Sequence, residues 1–125
     1  MKFLSGGFAT LLAWPALLLF GKKVSVDLDK IPKLKAIGGQ ITIKLLHEDV
    51  LLIRDSEKTV RAFNAHCTHK ACIVKYIEKD NRIECPCHGS QYDLKGNVIK
   101  GPAPRSLQTH VAELDGNQII VEIPE

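Results

Sequence analysis

Two six-residue stretches, Cys67-Thr68-His69-Lys70-Ala71-Cys72 and Cys85-Pro86-Cys87-His88-Gly89-Ser90, hold all four cysteines and two of the five histidines. Soft thiolates and imidazoles on two short loops are the ligand set that a tetrahedral metal centre asks of a protein. Fifteen residues separate His69 from Cys85, enough for a hairpin (Ile73 to Tyr76, then Asn81 to Glu84) that returns the second loop beside the first. Cys85-Pro86-Cys87-His88 reads C-x-C-H, so covalent haem attachment through C-x-x-C-H is not supported. A structural zinc site would use the atoms of Cys67, His69, Cys85 and His88 but would leave Cys72 and Cys87 without a role. A cofactor-free disulfide scaffold would not need histidines at these offsets.

The chain around these loops reads as all-β. Gln40 to Leu45 and Thr59 to Phe63 alternate between polar and apolar, and Val50-Leu51-Leu52-Ile53 is a buried-strand run. His110 to Leu114 and Gln118 to Ile123 flank Asp115-Gly116-Asn117, a hairpin signal. Leu45-Leu46 and Val50 to Ile53 are assigned to the core, His47 and His110 to solvent-facing strand positions, and His66 to the loop. The strand pattern breaks between His66 and Pro104, as expected of a functional insertion carried by a scaffold.

No charged residue occurs from Phe3 to Gly21. Nineteen helical residues would span roughly 28 Å, close to a hydrocarbon core of about 30 Å. A cleavable signal would need small residues after the apolar run, and Phe20-Gly21-Lys22-Lys23 follows instead. A single-pass anchor at 1–21 is therefore expected, in contact with the lipid bilayer. A flexible, lysine-bearing linker at 22–38 would follow it, then a domain at 39–125. Lys22, Lys23, Lys30, Lys33 and Lys35 would hold the head on the cytoplasmic side, whereas a disulfide would favour an extracytoplasmic head. The extracytoplasmic side is preferred.

Composition narrows the function classes further. With 125 residues there is room for one domain and an anchor but no second catalytic domain. A net charge of +3, without a basic stripe or an aromatic platform, gives no sign of a nucleic-acid partner.

The pattern C-x-H-x15-C-x-x-H, with one further Cys in each loop, resembles the Rieske iron–sulfur proteins, closely over Ala62 to Pro104 and loosely over residues 40–123. The resemblance implies an antiparallel β base domain with an inserted cluster-binding subdomain at 66–104 and a [2Fe–2S] cofactor. Cys67 and Cys85 would hold one iron, His69 and His88 the other, and Cys72 would pair with Cys87. Ser90 and Tyr92 would donate hydrogen bonds to the sulfurs, and Gly101-Pro102-Ala103-Pro104 would cover the cluster. Two neutral imidazoles in place of thiolates lower the negative charge that reduction must add to. Rieske potentials accordingly lie at about −150 to +300 mV, against about −400 mV for all-Cys plant-type clusters. The resemblance further implies an electron-transfer subunit with cytochrome b-type and c-type partners, in which His69 and His88 meet quinol. The alternative is a relay subunit of an arsenite-oxidase-like complex without quinol contact.

Quinol-oxidising members usually read C-T-H-L-G-C in the first loop, and this chain has Lys70 and Ala71 in place of Leu and Gly. An ammonium group fits an apolar quinol crater poorly. Ala71 implies that the backbone there needs no positive φ, or that strain is tolerated. The lysine-bearing segment 22–38 is expected to let the head swing between partners.

Overall fold

The structure, a computed structural model, describes residues 21–124. The expected anchor at 1–21 lies, except for its last residue, outside the described residues. Among the described residues no helix is long and apolar enough to cross a membrane.

Among the described residues, eleven strands form three antiparallel sheets. The first sheet joins β1 (Lys22–Asp27), β11 (Gln118–Ile123) and β10 (Ala112–Asp115) in that order. The second has the order β2 (Gln40–Leu45), β3 (Glu48–Arg54), β4 (Val60–Asn64) and β9 (Thr109–His110). The third, β5 (Lys75–Ile77), β6 (Arg82–Glu84), β7 (Gln91–Tyr92) and β8 (Val98–Lys100), carries the cysteine loops. The expected hairpin closes with Asp115 opposite Gln118, and Gly116 takes φ +60° in its two-residue turn.

β3 explains why four consecutive apolar residues were needed. Val50, Leu51, Leu52 and Ile53 are all at most 1% exposed. Successive side chains of a strand point to opposite faces. Val50 and Leu52 enter a core shared by the first two sheets, while Leu51 and Ile53 enter a second core beneath the cysteine loops. Phe63 on β4 joins the second core and Val60 and Ala62 the first. Gln40 ties the two halves together: its Nε2 donates to Tyr76 O (2.6 Å) and its Oε1 accepts from Tyr76 N (2.9 Å).

Three expectations need correction. Residues 22–38 are not a flexible linker. β1 pairs with β11 from Lys22↔Ile123 to Asp27↔Gln118, and two 3₁₀ turns follow at Leu28–Lys30 and Pro32–Lys35. The five lysines are all exposed, and the residues between them, Leu28, Ile31 and Leu34, are buried. Arg54 fixes the segment further by donating from Nη1 to Leu34 O at 2.8 Å. A segment built into the sheet cannot be a swinging tether. Leu46 is 51% exposed because it occupies the β2–β3 turn at φ +59°, so only Leu45 of that pair is core. His110 is not solvent-facing: its side chain is 1% exposed and bonds Glu48 of β3.

Leu34→Ala separates a folded segment from a linker. Leu34 is fully buried, so the truncation should destabilise the domain by about 2–5 kcal/mol in urea unfolding. A change near zero would restore the linker.

Candidate metal centre

The two cysteine loops close by the same hydrogen-bond pattern. In the first, Cys67 N donates to Cys72 O (2.8 Å) and Ala71 N to Cys67 O (2.9 Å). In the second, Cys85 N donates to Ser90 O (2.8 Å) and Gly89 N to Cys85 O (2.9 Å). Each is a six-residue turn whose fifth residue is left-handed, Gly89 at φ +78° and Ala71 at φ +61°. The geometry does demand positive φ in the first loop, and Ala71 meets it at a steric cost of about 1–2 kcal/mol.

The loops lie side by side. Cys72 and Cys87 form a disulfide with Cα atoms 6.4 Å apart, as the resemblance implied. The rings of His69 and His88 meet edge to face, with centroids 4.9 Å apart. Cys67 and Cys85 remain as buried free thiols. Cys85 Sγ lies within 4.8 Å of the disulfide sulfurs, but those two are already bonded to each other, which leaves Cys67 and Cys85 as the thiolate donors.

Burial pushes the Cys67 thiol up, but hydrogen bonds from Tyr92, from the His69 and Lys70 backbone and from Cys85 outweigh it and hold it below the ordinary thiol range. Tyr92 Oη lies 3.2 Å from Cys67 Sγ and accepts from Thr68 N at 3.2 Å. Burial, and then the bond to Cys67, push its phenol up. Thr68 Oγ1 donates to Arg105 O (2.8 Å), and Ala103 N donates to Ser90 Oγ (3.0 Å). The stretch 101–105, the proline loop, is thereby fastened to both cysteine loops, and Ser90, fully buried, keeps its own hydroxyl hydrogen to donate.

His69 Nδ1 is buried without a hydrogen-bond partner. Buried imidazole nitrogens are normally satisfied. An orphan beside two buried thiols, one of them held toward thiolate, is what a metal-bound group would complete, and the residues present therefore fit an iron–sulfur cluster. All six expected site residues, Cys67, His69, Cys85, His88, Ser90 and Tyr92, belong to this one end of the molecule.

Sequence reading missed the role of His66, since the ligand count begins one residue later. Its Nδ1 lies 2.8 Å from Ala71 O and its Nε2 2.9 Å from Asp49 Oδ2. The ring thus ties the strained end of the first loop to β3. Both partners are acceptors, so the ring satisfies both as imidazolium. The Ala71 carbonyl and then the Asp49 carboxylate raise its pKa.

Residues 25–111 match the family model of the Rieske [2Fe-2S] domain, and the chain belongs to that family, which binds a [2Fe-2S] cluster. It is 37% identical to a cytochrome b6-f complex iron-sulfur subunit of Synechococcus sp. (strain JA-2-3B'a(2-13)) over 116 residues, 91% of this chain and 64% of that protein. The cyanobacterial plasma membrane Rieske protein of Synechocystis PCC 6803 superposes with TM-score 0.68 at 32% identity, covering 80% of this chain and 99% of that one. A chain of a hyperthermophilic respiratory Complex III superposes with TM-score 0.57 at 27% identity, covering 94% of this chain and 99% of that one. The chain spans about half the length of the first curated relatives it matches.

The His66–Asp49 pair carries a pH prediction. With the His66 side chain 41% exposed, solvent screening keeps the coupling small. Folding raises the imidazole pKa, so the coupling is complete below the unfolded value of about 6.5 and disappears as pH rises through the higher folded value. A double-mutant cycle of His66→Ala with Asp49→Ala in urea unfolding at acid and alkaline pH measures this; equal coupling at both would exclude the ion pair.

Proposed function

We propose that this chain is a membrane-anchored Rieske electron-transfer subunit of a cytochrome b/c-type quinol oxidoreductase. It passes single electrons from quinol to a c-type cytochrome or similar carrier, with its head on the extracytoplasmic side. The observation that carries the reading is the orphaned Nδ1 of His69 beside the buried thiols of Cys67 and Cys85, in loops tied by a disulfide. Cys67 and Cys85 hold one iron, and His69 and His88 hold the other. When bound, the cluster supplies a one-electron centre that two neutral imidazoles make easier to reduce than an all-thiolate one.

The protein's own groups do the rest. Tyr92 donates to the Cys67 thiolate and Ser90 donates inward, and donors to sulfur favour the more negative, reduced form. With Nδ1 of His69 turned in to the buried side, Nε2 is the ring atom left to exchange a proton with a hydroxyl group of quinol. His88 is exposed at the neighbouring tip. The disulfide and the proline loop keep the two tips together without help from the anchor.

A second reading rests on Lys70, which is exposed at the tip of the first loop. An ammonium there suits an electron-relay subunit of an arsenite-oxidase-like complex that never meets quinol. Protection of His69 and His88 by a quinol-site inhibitor, or co-purification with cytochrome b, supports the first reading, and absence of both supports the relay.

Anaerobically purified chain should contain iron and sulfide and, once reduced, give a Rieske-type electron paramagnetic resonance signal. Colourless, iron-free material with Cys67 and Cys85 both titratable would end the proposal. Tyr92→Phe and Ser90→Ala should each lower the midpoint potential by tens of mV, since about 59 mV corresponds to a tenfold change for one electron. An unchanged voltammetric midpoint would remove the donor roles.

A further inference from the structure

The residues that form the cluster end, 66–74, 85–92 and 99–108, include Lys70, Lys100 and Arg105 and not one Asp or Glu, although the chain carries 14 acidic residues. Lys70 and Arg105 are exposed, and among the described residues neither is in an ion pair. Both line one open cavity of about 410 Å³ that also takes in His66, Thr68 and His69. The rest of its wall is polar or small, with no large apolar side chain. Arg105 is held against the first loop because its carbonyl accepts from Thr68 Oγ1 at 2.8 Å.

From this placement we propose that the face beside His69 docks a redox protein whose haem edge is ringed by carboxylates, an acidic c-type cytochrome. The inference rests on the electron-transfer role proposed above and specifies the acceptor. Charge complementarity selects the occupant. Two unpaired cations beside the electron exit proposed above attract carboxylates, and a wall without large apolar side chains leaves charge as the main attraction for a protein partner. Within the encounter complex one electron leaves the reduced head. It converts the partner's ferric haem to ferrous, with no bond made and no proton required. Unpaired cations at a rim act mainly on the association rate and make it fall with ionic strength.

The test uses the full chain in detergent, loaded with its cluster, and two forms of one acidic ferric c-type cytochrome, the native form and one with surface carboxylates amidated. Binding is measured with the oxidised chain, and haem reduction by the reduced chain is followed in stopped flow. The native cytochrome should bind and react about tenfold or more faster at low salt than at high salt, as electrostatic steering requires. Amidation should abolish that dependence. Lys70→Glu with Arg105→Glu should produce the same loss in the native pair. Lys79→Glu, at the far end of the β5–β6 hairpin, should not. Equal binding of both cytochrome forms, rates indifferent to salt, or a charge-reversed chain that behaves as the parent would overturn the proposal. A chain without a resonance signal would refute the electron-transfer role instead, and the binding arm, which needs no electron, still tests the docking face. Circular dichroism of each variant confirms that it is folded.

Discussion

A tight turn with a left-handed fifth residue, used twice, is the constraint on which the site depends. Each turn brings the amide of its first cysteine to the carbonyl five residues on, and the amide of its fifth residue back to that cysteine's carbonyl. This sets the thiols of Cys67 and Cys85 inward and places a histidine near each tip. Glycine would satisfy the left-handed position at no steric cost. The second loop has Gly89 there, and the first has Ala71. The added strain falls where His66 binds the Ala71 carbonyl, and His66 is in turn bonded to Asp49 of β3. The loop therefore stands on a side-chain brace where its twin stands on glycine.

The brace reaches a strand that already serves both cores. β3 sends Leu51 and Ile53 toward the loops and Val50 and Leu52 toward the base sheets. Displacing β3 would disturb the packing under Cys67, Cys85 and Tyr92 together, since all three belong to the core that Leu51 and Ile53 complete. The hydroxyl of Tyr92 is aimed at Cys67 because its ring is clamped in that core. Scaffold and site are thus mechanically one body, joined by β3, Gln40 and the His66–Asp49 contact.

What could be read from the sequence follows from these physical terms. Period-two strands, the Gly116-Asn117 turn and the cysteine spacing are local signals, and the structure reproduces them. Segment 22–38 reads as a linker because its five lysines dominate its composition, while the residues that decide its fate, Leu28, Ile31 and Leu34, are few and spaced by three, the period of the 3₁₀ turns rather than of a strand. His110 looked like an exposed strand position because its partner Glu48 is distant in sequence and only sheet pairing brings them together. His66 was invisible for the same reason, as Asp49 is its partner only across the sheet. Leu46 was lost to turn geometry, which apolarity alone does not report.

Charge placement at the cluster end divides two tasks between two kinds of group. An ammonium at about 8 Å from a unit charge in water is worth about half a kcal/mol before ions screen it, and the screening length at physiological salt is itself about 8 Å. Exposed Lys70 and Arg105 can therefore shift the stability of a reduced centre only slightly. Over the wider approach of a charged partner, their summed field acts on every encounter. The buried hydroxyl of Tyr92, 3.2 Å from Cys67 Sγ, is the reverse case: it reaches no partner, but in a site of low dielectric a hydrogen bond to sulfur holds its strength at any ionic strength. On the proposed function, potential would thus be set from inside by groups that water does not reach, and partner choice from outside by groups that salt can silence. Either property could then change by substitution without the other, so that a chain with the family's ligand loops could carry Lys70 in place of an apolar tip and keep the redox role proposed for it.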